Sequence, residues 1–129
     1  MPDTTTATHI ATVRTIAIPV SSQDEALRFY VETLGFTKAM EAPMGEGARW
    51  IEVAPPGGGA SIALVRPEAG APIGVDTGIR LTSEDVGADH AQLGAAGVDV
   101  DPEVIPVPVP MFSFRDPDGN RLVIVGTGG

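Results

Sequence analysis

Few side chains in this sequence are able to carry acid–base, nucleophilic or metal chemistry. The 129 residues include no cysteine and two histidines, His9 and His90, which excludes thiol catalysis and cysteine-ligated metals. No serine has a histidine within predicted reach, so a serine nucleophile with a histidine base is not expected. Glu52, two residues after Trp50 on a predicted strand, is a candidate general base if burial raises its pKa.

The charge balance limits the classes of partner. There are 17 acidic and 8 basic side chains, a formal net charge of −9, whereas nucleic acids and anionic membranes bind clustered Lys and Arg. We therefore expect no nucleic-acid or membrane partner. No apolar run reaches 18 residues and no signal-peptide pattern is present, so we expect a cytoplasmic protein.

Trp50 and Glu52 lie in the first of two predicted β-hairpins. Its strands flank a turn at Pro55–Gly57, and the second hairpin, Phe112–Val125, turns at Asp116–Asn120. Proline presets the backbone for such a turn and glycine supplies the positive φ. The same strand–turn–strand plan thus occurs twice.

A strand and a helix precede each hairpin. The first helix begins at Ser21 or Ser22 and ends at Gly35, and the second begins at Ser83 or Asp85 and ends at Gly97. Each helix-ending glycine lies 15 residues before the aromatic residue that opens its hairpin, Trp50 or Phe112. This internal repeat predicts two tandem βαβββ modules.

The predicted organisation is one α+β domain over residues 1–129. The first module covers residues 12–66, a linker of Pro, Gly and Ala covers 67–75, and the second module covers 76–125.

Two motifs carry a resemblance to a known family. The first is Ala26–Leu27–Arg28–Phe29–Tyr30 with Leu34–Gly35–Phe36, and the second is Phe114–Arg115–Asp116–Pro117–Asp118–Gly119–Asn120. In this order they resemble the vicinal oxygen chelate superfamily, which includes glyoxalase I, bleomycin-resistance proteins and extradiol dioxygenases. The resemblance implies paired modules that form a cupped mixed sheet with the helices outside, a cavity in the cup, and a homodimer. It does not define one activity.

In the enzymes that the sequence resembles, a divalent metal lies in the cup, held by side chains from four strands. The corresponding positions here are Thr15, Ala63, a residue near Gly78, and Val123. Ala, Gly and Val provide no ligand atom and Thr is a poor one. We predict that neither His9 nor His90 is a ligand, and we expect no metal and no cofactor.

Strand alternation predicts which side chains face the cup. In the second hairpin two choices remain, Phe112 with Phe114 or Met111 with Ser113 and Arg115, and the repeat favours Phe112 because it corresponds to Trp50. Trp50 could equally cover a sheet or subunit contact, and Arg80 could pair with Glu52. We also expect Arg115 and Asp116 to form a structural pair at the turn. The predicted ligand-binding residues are Thr15, Met40, Met44, Trp50, Glu52, Ser61, Ala63, Arg80 and Phe112.

Such a lining is typical of a pocket for a flat or apolar organic ligand. The sequence therefore predicts a metal-independent small-molecule-binding protein of the glyoxalase/bleomycin-resistance type, which sequesters a drug or natural product. One alternative is a superfamily enzyme of lyase, isomerase or dioxygenase type with a non-standard site, which has either a shifted metal site or Glu52 acting without metal. Another is a non-catalytic partner or regulatory domain.

Overall fold

A computed structural model describes residues 8–127. The first half of the chain forms a mixed four-stranded sheet, ordered β1-β4-β3-β2. Its strands are β1 (Thr15–Pro19), β2 (Thr37–Pro43), β3 (Arg49–Ala54) and β4 (Ser61–Val65). β1 and β4 are parallel, and the other neighbours are antiparallel.

The second half forms a sheet with the equivalent order, β5-β8-β7-β6. Its strands are β5 (Asp76–Ser83), β6 (Asp99–Val100), β7 (Met111–Arg115) and β8 (Arg121–Gly126). β5 and β8 are parallel. The α+β fold of two βαβββ halves is thereby confirmed, with the strands divided between two separate sheets.

One helix follows the first strand of each half. Helix α1 (Gln23–Arg28) begins after Ser22, whose side chain accepts a hydrogen bond from the Glu25 backbone N–H, and it continues as a π-helical turn, Phe29–Thr33. Helix α2 (Val86–Ala95) begins after Asp85, which caps it in the same way. In residues 8–127, neither helix is long and apolar enough to cross a membrane.

The sequence pattern predicts a first strand that begins at Thr12 and a loop over residues 41–48, and the structure differs at both places. β1 begins at Thr15 instead of Thr12. β2 extends through Pro43 into the predicted loop because Ala42 and Pro43 pair with Trp50 and Arg49 on β3. Pairing with β3 therefore extends the strand through Pro43, and the predicted loop is reduced to residues 44–48, which contain Gly45 and Gly47.

Both sheets contribute their apolar faces to one core. The first sheet provides Ile18, Ile51, Ile62 and Leu64, and the second provides Phe112, Phe114, Leu122 and Ile124, all buried. Their opposite faces are consequently turned away from this core. We call these the outer faces of the two sheets.

A buried polar cluster joins the first helix to the second hairpin. The Tyr30 hydroxyl donates to Asp116 at 2.9 Å, and the same carboxylate accepts the Asn120 backbone N–H at 2.9 Å. The Asn120 side-chain amide donates to the Pro19 carbonyl at 2.7 Å. Burial, reinforced by Asp116, raises the pKa of Tyr30 far above its ordinary value, so Tyr30 remains a hydrogen-bond donor at physiological pH. The expected pair of Arg115 with Asp116 does not form, because Arg115 binds Asp101 at 2.8 Å.

Candidate functional site

Strand register brings six of the nine predicted site residues onto one face of the first sheet. Thr15 pairs with Ser61, Glu52 pairs with Ala63, and Met40 pairs with Glu52. Paired residues in neighbouring strands point to the same side of a sheet, as do residues two apart on one strand. We call this surface the Trp50 face. Its members are Thr15, Ala17, Met40, Trp50, Glu52, Ser61 and Ala63.

Glu52 lies at the centre of the Trp50 face, with 3% of its surface exposed. Its Oε2 atom accepts the indole N–H of Trp50 at 2.7 Å, and its Oε1 atom accepts the Ser61 hydroxyl at 2.8 Å. Arg14 Nη1 lies 3.0 Å from Oε2. Glu52 therefore has a partner for each oxygen and a cation close to its charge.

These partners keep Glu52 ionised. The indole N–H of Trp50, the Ser61 hydroxyl and the charge of Arg14 lower the pKa of Glu52, although burial acts in the opposite direction. A general base would need the raised pKa on which the sequence-based hypothesis depended. The arrangement instead suits a structural acceptor that fixes the edge of the Trp50 indole.

Arg14 also belongs to this network, although the sequence pattern did not indicate it as a site residue. A strand beginning at Thr12 would place Arg14 on the core side by alternation, with Ile16 and Ile18. Because β1 begins only at Thr15, Arg14 is free of that alternation, and its side chain, 68% exposed, reaches Glu52. Its Nη2 atom also lies 3.9 Å from the sulfur of Met40.

The two methionines occupy different positions. Met40 lies on β2 next to an irregularity in the register with β3, and 42% of it is exposed. Met44 lies beyond the sheet in the β2–β3 turn, where its backbone N–H donates to the Ala48 carbonyl. Met40 is thus part of the Trp50 face, whereas Met44 is an exposed loop residue.

Arg80 lies on the second sheet and is separate from this network. It pairs in register with Val123 on β8, and its guanidinium donates to the Gly78 carbonyl at 3.1 Å. The proposed pairing of Arg80 with Glu52 is wrong, since Arg14 occupies that position.

The prediction that Phe112 lines the cup is also wrong. Phe112 pairs with Ile124 on the core side of β8, and only 1% of it is exposed. Its ring packs edge-on against His90 of α2, with the ring centroids 4.9 Å apart. His90 is therefore partly buried, and its Nε2 atom lies 2.7 Å from the Asp101 carbonyl oxygen.

A one-residue difference before the hairpin explains why Trp50 and Phe112 face opposite ways. The core-facing residue of β3 is Ile51, 16 residues after Gly35, whereas that of β7 is Phe112, 15 residues after Gly97. Equal sequence spacing from the preceding glycine therefore does not place Trp50 and Phe112 on the same side of their sheets. A shift of one residue moves a strand side chain to the opposite face. Met111, Ser113 and Arg115 lie on the outer face instead.

The residues at the four family metal positions do not fit a divalent cation. Ala63 and Val123 carry no donor atom, Gly78 has no side chain, and the Thr15 hydroxyl donates to the Ser61 carbonyl at 3.2 Å. The adjacent carboxylate, Glu52, is already paired with Arg14, whose positive charge would repel a metal ion. Among the residues from 8 to 127, no three His, Cys, Asp or Glu side chains are grouped to hold a metal.

The family model of the Glyoxalase/Bleomycin resistance protein/Dioxygenase superfamily matches residues 8–124. The chain belongs to this superfamily. An uncharacterized protein of Bacillus subtilis (strain 168), YetH, is 31% identical over 118 residues, which cover 89% of this chain and 98% of that protein.

Two crystal structures of superfamily-type proteins resemble this chain over most of their length. A superfamily member from Sphaerobacter thermophilus is 37% identical with a TM-score of 0.82, covering 91% of this chain and 98% of its own. TnmS3, an antibiotic binding protein from Streptomyces sp. CB03234, is 38% identical with a TM-score of 0.81, covering 93% and 98%.

Proposed function

We propose that this protein is a metal-independent small-molecule-binding protein that sequesters a drug or natural product on the Trp50 face. The observation that carries the proposal is the hydrogen bond between the Trp50 indole and buried Glu52. It fixes the orientation of a partly buried aromatic ring on the face that also carries the small residues Ser61 and Ala63. A fixed aromatic surface with few polar groups suits stacking against a flat organic ligand.

The similarity to TnmS3 supports a ligand of this kind. TnmS3 is an antibiotic binding protein, and the likeness extends over 93% of this chain at 38% identity. Metal independence is proposed from the chemistry of the residues present: Arg14 provides a fixed positive charge beside Glu52, where a metal enzyme needs ligand oxygens and nitrogens.

We further propose that a homodimer completes the pocket. In residues 8–127, no hydrogen bond or ion pair joins the Trp50 face to the outer face of the second sheet: Glu52 binds within the first half, and Arg115 and Arg121 bind within the second. One chain thus offers the Trp50 face as a single wall. The second sheet of another copy, which carries Arg80, is proposed as the opposite wall.

Fluorescence titration tests the ligand proposal directly, because Trp50 is the only tryptophan. A planar polyaromatic antibiotic such as doxorubicin, and metal-free bleomycin, are added to the protein in the presence of EDTA. We expect saturable quenching by at least one compound. Titration of free N-acetyltryptophanamide corrects for absorption by the ligand, and quenching no stronger than in this control would refute the proposal for these compounds.

A mixing experiment tests the dimeric pocket. Trp50→Leu and Arg80→Glu homodimers each carry two damaged sites, whereas their heterodimer has one intact site and one doubly damaged site. We expect the mixture, after subunit exchange, to regain ligand binding that neither variant shows alone. If each variant binds normally or the mixture regains nothing, the pocket is not shared in this way.

A further inference from the structure

A cavity lies on the opposite side of the first sheet from the Trp50 face. Its volume is about 520 Å³, and it lies between the β3–β4 turn and helix α2. The floor is formed by core-side residues of both sheets, including Ile62, Ile79 and Ile124. We call it the turn cavity. Because Trp50 and Glu52 project from the other side of the first sheet, the two sites are separate.

The internal repeat explains why this cavity exists. The equivalent contact between a helix and a turn is made by Tyr30 of the first helix, whose hydroxyl donates to Asp116 of the β7–β8 turn. Tyr30 and Asp116 are 0% and 5% exposed. Tyr30 precedes its helix-ending Gly35 by five residues, as Gln92 precedes Gly97. The same junction is therefore filled by a buried tyrosine in one half and carries an exposed glutamine in the other.

The residues at the two ends of the turns also differ between the halves. Asp116 and Asn120 are the first and last residues of the β7–β8 turn, and Pro55 and Ala60 hold these places in the β3–β4 turn. Gln92, Pro55 and Ala60 thus take the places of the hydrogen-bonded residues Tyr30, Asp116 and Asn120. All three line the turn cavity. Loss of the tyrosine ring and of both polar turn side chains leaves the space unfilled.

The lining defines the chemistry of an occupant. Apolar side chains predominate on the walls, among them Leu34, Phe36, Leu81 and Leu93. Arg80 and Asp89 are the charged residues among those that line the cavity. Arg80 alternates with core-side Ile79 and Leu81, so its guanidinium lies toward the outer face of the second sheet and leaves the cavity without a cationic group. The Asp89 carboxylate also accepts the Ser83 hydroxyl. A volume of this size falls within the range of small-molecule sites, about 300–1,000 Å³.

We propose that the turn cavity binds a compact, uncharged, largely apolar organic molecule. The ligand takes the position that the Tyr30 ring fills in the other half, and the Gln92 amide supplies a hydrogen-bonding group near the opening. The proposal does not depend on the function assigned to the Trp50 face.

Two-dimensional ¹H–¹⁵N NMR with 2-naphthol as the probe tests this site. We expect saturable shifts of the backbone N–H signals of Gly57–Gly59 and of Gln92 and Leu93. The Trp50 indole N–H signal reports on the other face at the same time and should not move. A shift of the indole signal alone, or no saturable shift at all, would overturn the proposal.

A cavity-filling variant provides the matched test. Gln92→Tyr restores the ring found at Tyr30 and should weaken 2-naphthol binding by about tenfold or more. Ala95→Tyr adds the same ring to an exposed position of α2 that does not line the cavity, and it should bind like the unmodified protein. Ala60→Leu is a second filling variant with the same expected loss. Undiminished binding in both folded filling variants would refute the site, and fluorescence quenching at Trp50 would still report on the first proposal.

Discussion

The two halves of this chain share a βαβββ plan but use it differently at equivalent places. In one half the helix is joined to the turn of the other half by the Tyr30–Asp116 hydrogen bond, whereas α2 leaves a cavity beside the β3–β4 turn. Trp50 lies on an outer face, while Phe112, at the same spacing, is buried. The comparison indicates that the repeat determines the fold, whereas a few substitutions and a one-residue difference in spacing determine where a ligand could bind.

The largest expected effect on stability is at the buried polar cluster of Tyr30, Asp116 and Asn120. Asp116→Ala would leave the Tyr30 hydroxyl and the Asn120 N–H without their acceptor inside the protein. We expect the free energy of unfolding to fall by about 3 kcal/mol or more, measured by urea denaturation. Pro55→Ala at the equivalent turn position is the matched control, with an expected change of under about 1 kcal/mol. Equal losses in the two variants would contradict the comparison.

Substitution of Trp50 and Phe112 should separate binding from stability. Phe112→Leu removes part of a fully buried ring and should cost about 1.5 kcal/mol of stability, with ligand affinity unchanged. Trp50→Leu should instead weaken ligand binding by about tenfold or more, because the stacking surface is lost. Calorimetric titration and urea denaturation of both variants provide the two readouts. A Phe112 variant with weakened binding but normal stability would place that ring in the pocket after all.

Acid titration of protein stability tests whether the folded protein holds Glu52 in its charged form. Its pKa is lowered in the folded protein by Trp50, Ser61 and Arg14, so its ionised form stabilises the fold above the pKa of the unfolded chain. That stabilisation is lost as pH falls through the lower, folded-state pKa. Glu52→Gln should therefore show a shallower loss of stability on acidification below about pH 4.5 than the unmodified protein. Parallel pH profiles for the two proteins would show that Glu52 is not held in its charged form.

The smallest effect on stability is expected at Arg14. Its side chain is 68% exposed although its partner is buried, and ion pairs at the surface contribute little. Arg14→Ala should lower the free energy of unfolding by under about 1 kcal/mol, measured by urea denaturation. Arg66→Ala, at an exposed arginine away from the Trp50 face, is the control. A loss as large as that of Asp116→Ala would mean that the pair behaves as a buried one.

Much of the fold could be predicted from the sequence because helix caps, helix-ending glycines and proline-containing turns are local signals. Strand alternation, within the cup that the family resemblance implied, placed Thr15, Trp50, Glu52, Ser61 and Ala63 together. Met40 was predicted to contact the ligand from the adjacent loop and lies on β2 instead. Alternation failed for Phe112, because the segment between helix and hairpin is one residue shorter in the second half than in the first. It could not place Arg14, which lies just before its strand. The turn cavity could not be predicted, since it depends on which helix packs against which turn.

Calorimetric titration of doxorubicin in the presence of EDTA, and again with added zinc, nickel, manganese or iron(II), tests the central claim most directly. We expect saturable binding in EDTA that metal leaves unchanged and that Trp50→Leu weakens by about tenfold or more. Binding that requires one of these metals, or that persists unchanged in Trp50→Leu, would contradict a metal-independent site on the Trp50 face.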